Sequence, residues 1–179
     1  TTSKASGGTP GNITLTSDGL VSVDRTGAAA TIDSNNSITN GGNIQNSFAG
    51  NGAIGLHILG GVSGNYTQQS NAFINVTCGG LNNSAILVDG TAPYTGTIDL
   101  QFGSVVVSHG ADSAALAIKT PMIGDVKVNG AINGIDPGAN GVVVSAPITG
   151  TLTTGNVIFL GAFGVSSQYS STLVDPGTG

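Results

Sequence analysis

Residues 85–103 read AILVDGTAPYTGTIDLQFG: a short apolar alternation, a polar corner, the pentad Tyr94-Thr95-Gly96-Thr97-Ile98, a second alternation and a glycine. Alternation of period two marks a strand with one face buried, so the stretch predicts short strands separated by tight corners. The same plan recurs along the chain. A glycine, a small polar residue and a large apolar residue appear as Gly11-Asn12-Ile13, Gly42-Asn43-Ile44, Gly64-Asn65-Tyr66, Gly96-Thr97-Ile98, Gly124-Asp125-Val126 and Gly150-Thr151-Leu152. Their spacings of 31, 22, 32, 28 and 26 residues fall in the range of solenoid repeats. A second pattern, a small residue followed by apolar, any, apolar, precedes most of these glycines: Ala29-Ala30-Thr31-Ile32, Ala53-Ile54-Gly55-Leu56, Ala85-Ile86-Leu87-Val88, Ala115-Leu116-Ala117-Ile118 and Gly141-Val142-Val143-Val144. Two motifs recurring in one order predict a repeated structural unit.

The repeats divide the chain. Residues 1–12 are polar and Gly-rich and read as a linker or frayed end, 13–164 as a β-solenoid domain, and 165–179 as a tail or partial cap. Within the domain, 28–44 forms the smallest and most polar unit, 53–76 the next, and 105–107 supplies a third strand to the unit that begins at Ala85. Pro93, Pro121 and Pro147 recur at one corner, where no ladder hydrogen bond is lost to them. No segment keeps a 3.6-residue period, and 111–117 is too short and too closely flanked by Gly and Pro for a helix. The architecture predicted is all-β: a right-handed parallel β-helix of about six coils with three short strands per coil. An antiparallel sandwich is the other arrangement, but it does not require matched strand triplets. In the solenoid, Ile54, Ile86, Leu116 and Val142 are expected in one internal column and Tyr66, Ile98, Val126 and Leu152 in another. Asn83 and Asn140 are expected to contribute to amide ladders at the turns.

Composition agrees with strands and turns. Thr, Val, Ile, Ser, Asn and Gly dominate, all nine acids are Asp, and no Glu is present. The apolar fraction of 39% argues against disorder despite the low charge. A net charge of −5, with Lys4, Arg25, Lys119 and Lys127 as the only cations, offers no basic patch, so no nucleic-acid partner is expected. The longest apolar runs are far too short for a transmembrane helix. Cys78 stands alone and reads as a small buried hydrophobe.

In the repeats at 54–66, 86–98 and 142–152, with their apolar-Thr/Ser-Gly-Thr/Asn-apolar centres, the chain resembles the passenger domains of bacterial autotransporters. The resemblance spans roughly 27–160 and rests on pattern, without an invariant motif. It implies secretion across the outer membrane, a β-helical rod at the bacterial cell surface, and roles in adhesion, aggregation or display. The family's membrane-anchoring barrel segment has no counterpart in the sequence, which on that comparison reads as a piece of a larger protein.

β-Helices also carry polysaccharide lyases and hydrolases, which need clustered carboxylates or cations. Here Asp89, Asp99, Asp112 and Asp125 fall in different turns or strands, and Arg25 lies near the N-terminal end. His57 and His109 read as polar positions on strands or corners. No nucleophile elbow, metal-ligand spacing or calcium nonapeptide is present. No catalytic, cofactor-binding or metal-ligating residue is therefore assigned, and no cofactor is expected. The expected function is that of an extracellular structural or binding solenoid, a rod, adhesin or fibre component, which stacks on further coils or on copies of itself. Its expected partners are other copies and a host or matrix glycan or protein. A carbohydrate-active enzyme is the alternative, and two carboxylates facing each other within about 10 Å in one groove would favour it.

Overall fold

A computed structural model describes residues 1–5, 11–77 and 79–155. Cys78, the apolar run at 157–160 and the tail at 165–179 lie outside the described residues. A single helical turn, α1 (Thr2–Ala5), precedes a β-solenoid. The first coil carries β1 (Asn12–Leu15), β2 (Leu20–Val23) and β3 (Gly27–Ile32), and the second β4 (Ser37–Asn40), β5 (Asn43–Asn46) and β6 (Ala53–Leu59). The third carries β7 (Tyr66–Gln68), β8 (Phe73–Val76) and β9 (Ser84–Asp89). The next two coils add a two-residue strand at one corner: β10 (Tyr94–Thr95), β11 (Ile98–Leu100), β12 (Val105–His109) and β13 (Ala114–Ile118), then β14 (Met122–Ile123), β15 (Val126–Val128), β16 (Ala131–Ile135) and β17 (Asn140–Val144). β18 (Ile148–Thr149) and β19 (Leu152–Thr154) open a sixth coil.

Each strand pairs in parallel with its equivalents one coil away. The first sheet runs β1-β4-β7-β11-β15-β19, the second β2-β5-β8-β12-β16 and the third β3-β6-β9-β13-β17. The strands β10, β14 and β18 form a narrow ladder at the proline corner. There Pro93, Pro121 and Pro147 accept hydrogen bonds from Gly61, Tyr94 and Met122 through their carbonyls, and a missing N–H at that edge breaks no ladder.

The core is a stack of like on like. Ile13, Ile38, Tyr66, Ile98, Val126 and Leu152 share one register column of the first sheet, which contains the predicted Tyr66-Ile98-Val126-Leu152 set. Five of the six glycine triplets end in this column. The sixth, Gly42-Asn43-Ile44, instead starts β5 in the second sheet, where Ile44 stacks between Val21 and Ile74. The true counterpart in the second coil is Asn36-Ser37-Ile38, so the column spacings are 25, 28, 32, 28 and 26 residues. Gly42 sits tightly over the carbonyls of Gly19 and Thr16. A glycine triplet therefore reports a crowded corner without identifying which corner it is.

The third sheet corrects a second expectation. Its internal column is Ala30, Leu56, Ile86, Leu116 and Val142, with Leu56 where Ile54 was expected. Ile54 pairs with Ser84 and packs with Leu87, Ala114 and Ala117 in a separate small cluster. The cause is a step in the ladder: it pairs Ala114 with Ser84 and Leu116 with Ile86 and passes over Ala115 and Ala85, both fully buried. Two successive residues thus enter the core, breaking strict alternation, and only small ones fit. At the equivalent Gly55 a Cβ would lie 2.6 Å from the Ile74 side chain and 2.7 Å from the Ala85 carbonyl oxygen.

Buried polar groups are tied down where the corners turn. Asn40, at the end of β4, accepts the Gly42 N–H at 3.1 Å, and the Tyr66 hydroxyl donates to Gln68 at 3.0 Å. Gln68 in turn donates to the carbonyls of Ala72 and Val105. The amides of Asn83 and Asn140 do not build the expected ladder with each other. Asn83 donates to Gly80 and His109 carbonyls, Asn140 to those of Ser113 and Gly138, and Asn140 shares its column with Ala114 and Ser84, one residue on from Asn83. Backbone carbonyls at the corners otherwise lack donors, and that demand outweighs amide-on-amide pairing.

Two substitutions test this register. Ile86, Val88, Ile98 and Leu116 are wholly buried, so Ile86→Asp is expected to cost roughly 3 kcal/mol or more in urea unfolding, against about 1 kcal/mol for Ile86→Val. Gly96 combines φ +151° with a position where a Cβ would fall on the carbonyl of Gly64. Gly96→Ala is expected to destabilise by about 1–3 kcal/mol although it adds a single methyl group.

Candidate functional site

The three outer faces differ in chemistry, because the residues that alternate with the core are stacked as strictly as the core itself. On the first sheet the outer column Thr14, Thr39, Thr67, Asp99, Lys127, Thr153 is polar throughout. Beside it, small polar side chains tie one coil to the next. Asn65 Oδ1 accepts the Thr97 N–H at 2.9 Å, and Asp125 Oδ1 accepts both the N–H and the hydroxyl of Thr151 at 3.0 and 2.9 Å. These bonds account for Asn65 and Asp125 at the centres of their triplets. They also hold the Asp125 carboxyl below its ordinary value, the Thr151 N–H contributing most, with Lys127 adding a smaller favourable charge.

Among the described residues no three His, Cys, Asp or Glu side chains form a metal-holding group, and three aspartates, Asp33, Asp125 and Asp136, serve corners one at a time. Asp33 accepts from the Ser3 N–H and hydroxyl and from the Thr2 hydroxyl, docking α1 onto the turn after β3. Asp136, in a left-handed conformation with φ 98°, accepts the Gly110 N–H at 2.8 Å. Two aspartates meet histidines across neighbouring coils: His57 Nε2 lies 2.5 Å from Asp89 and His109 Nδ1 3.6 Å from Asp136. The sequence reading placed both histidines on strands or corners, but missed these partners. They lie 32 and 27 residues onward, within the range of one coil length, so the signal was the repeat spacing itself. His57 belongs to the third sheet and His109 to the second, and the two pairs sit in different coils.

A groove lies on the outer face of the third sheet, holding about 180 Å³. Ala114, Ala117 and Val143 form its floor. Asn82, Ser84 and Asp112 stand at one end and Lys119, one residue past β13, at the other. Asn82 and Asp112 have φ of 57° and 55° and occupy a stacked turn whose neighbouring coils use Gly52 and Gly138. Asn and Asp tolerate this left-handed backbone better than other side chains, so the turn continues while two polar groups are projected beside the sheet.

The geometry defines a β-solenoid with a polar first face and a grooved third face. Comparison with protein-family models, with curated proteins and with solved structures finds no match. The autotransporter resemblance therefore rests on repeat pattern and the shared solenoid architecture.

The docking of α1 has a pH signature. Burial acts to raise the pKa of Asp33, but the hydrogen bonds from Ser3 and Thr2 outweigh it, and the carboxyl titrates below its ordinary value. A depressed folded-state pKa stabilises the docked turn above the ordinary carboxylate value and loses that contribution as pH falls through the lowered one. The protection of the Ser3 amide, its exchange relative to the unfolded rate at the same pH, is therefore expected to hold at neutral pH and to fall below about pH 4. Asp33→Asn is expected to remove that protection at every pH.

Proposed function

We propose that the chain is a non-catalytic segment of an extracellular rod, exposed at a bacterial cell surface, which stacks end to end through the face formed by its first coil. The observation that carries this reading is the state of that face. Among the described residues β1, β2 and β3 are the last strands of their sheets, each paired on one side only. Their inward side chains, including Ile13, Leu15 and Val21, pack against the core but are incompletely covered. Leu20 is 60% exposed beside them. Three parallel edges around a partly covered apolar centre, with α1 packed against β3, match the requirement of one more coil on the β1 and β2 side, because the next coil satisfies ladder and core together. In a longer parent that coil would belong to the same chain. For this chain alone it would belong to a second copy.

The enzymatic alternative has weaker support. Asp33, Asp89, Asp125 and Asp136 are each engaged with a different corner or histidine partner, and Asp112 faces Lys119 across a groove floored by alanine and valine. A rod with an adhesive or display role accommodates this scatter, whereas acid–base hydrolysis requires two carboxylates to converge.

Light scattering over a concentration series tests the stacking. Mass is expected to rise with concentration, and Leu20→Lys, which places a charge at an exposed position of the β2 edge strand, is expected to return the chain to monomer with its unfolding midpoint nearly unchanged. A wild-type chain that stays monomeric at high concentration, with the amides of β1 and β2 protected from exchange, would refute it.

A further inference from the structure

The groove of the third sheet has a property that the corners of the solenoid lack: apart from Asn140, which donates to the Ser113 and Gly138 carbonyls, its polar side chains are uncommitted among the described residues. At other corners, side-chain oxygens of Asn35, Asn51, Asn65 and Asp125 are each bound to a backbone N–H of the next coil. In the groove, Ser84 is 5% exposed, yet its hydroxyl has no hydrogen-bond partner in the protein, and it lines the open space. The Ser84 hydroxyl is reached from the groove, where it is available to a ligand as donor and acceptor. The side chains of Asn82, Asp112 and Lys119 are also free of hydrogen bonds and ion pairs among the described residues.

We propose that this groove binds a sugar carrying a carboxylate, a uronic acid unit of an acidic polysaccharide. Each part of the site answers one part of such a ligand. Asp112 accepts hydrogen bonds only, so it requires a donor and disfavours a bare anion beside it. Asn82 and Ser84 both donate and accept, as neighbouring ring hydroxyls require. Lys119, at the far end of the groove, supplies the cation for the carboxylate. Between them Ala114, Ala117 and Val143 give a flat apolar floor for the C–H face of the ring. The space of about 180 Å³ holds several waters, enough for a single sugar ring to replace. The groove lies on the side of the solenoid, so this proposal stands or falls independently of the end face.

Amide chemical-shift mapping on the full chain tests it, with D-galacturonic acid as probe and its uncharged methyl ester and sodium acetate as comparisons. Saturable shifts are expected at Ala114, Ala117 and Val143 with millimolar galacturonic acid, with at least tenfold weaker binding of the ester. Lys119 is exposed, so Lys119→Met leaves the core intact, and it is expected to abolish the preference for the acid. Ser84→Ala is expected to weaken the acid and the ester alike. The absence of saturable shifts, shifts on another face, equal binding of acid and ester, or the same shifts with acetate alone would each overturn the proposal.

Discussion

Everything in this molecule depends on the parallel backbone ladder between successive coils. Parallel strands are separated by about 4.8 Å, so every residue has an equivalent residue close above and another close below. A position is acceptable only if its side chain tolerates that column. The first sheet meets the requirement with large apolar residues inward and Thr, Asn and Asp outward. At the glycine corner it is met by having no side chain at all. Along Gly64, Gly96, Gly124 and Gly150 φ stays positive, and a Cβ would fall on a backbone carbonyl of the coil before, that of Asn36 for Gly64 and that of the preceding glycine for the others. Those glycines are the steric cost of a small coil.

Much of this was legible because a repeating column leaves a repeating sequence. The alternation at Ile98-Asp99-Leu100 and at Ala85-Ile86-Leu87-Val88 was enough to place Ile86, Val88, Ile98 and Leu116 inside. The errors share one cause. Gly42 looks like Gly64 because both are crowded glycines, yet they crowd different corners. Ile54 looked internal because the pattern around it was counted from the wrong side of a stepped ladder. Local patterns identify the kind of position, and only the pairing of neighbouring coils fixes its phase. The groove was illegible for a related reason: Asn82, Asp112 and Lys119 are unremarkable in sequence and come together only when a coil of thirty residues lays one turn over the next.

The functional reading follows from how the outer residues are used. Side chains that bind the next coil are structural wherever they stand, and most of the polar corners are of this kind. The two surfaces left over are an open end and a side groove. One presents backbone edges and apolar side chains, suited to more of the same fold. The other presents free hydroxyl, amide, carboxylate and ammonium groups around a small apolar patch, suited to a small polar guest. A solenoid keeps such surfaces apart because growth along the axis leaves its sides unchanged.

The step in the third sheet, where Gly55, Ala85 and Ala115 are passed over, also bears on how such a chain tolerates change in length. Registers on either side of the step are held by full-size residues, while the segments between the second and third sheets range from the three residues after β2 to the seven after β8. The segments between the third and first sheets vary as widely, from the four residues after β3 to the eight between β9 and β11, so variation in length is shed at both ends of the third sheet, along that edge of the molecule. That edge behaves like the fringe of a woven band: threads can be lengthened or trimmed there without altering the weave. It is the natural place on this scaffold to carry a grafted loop.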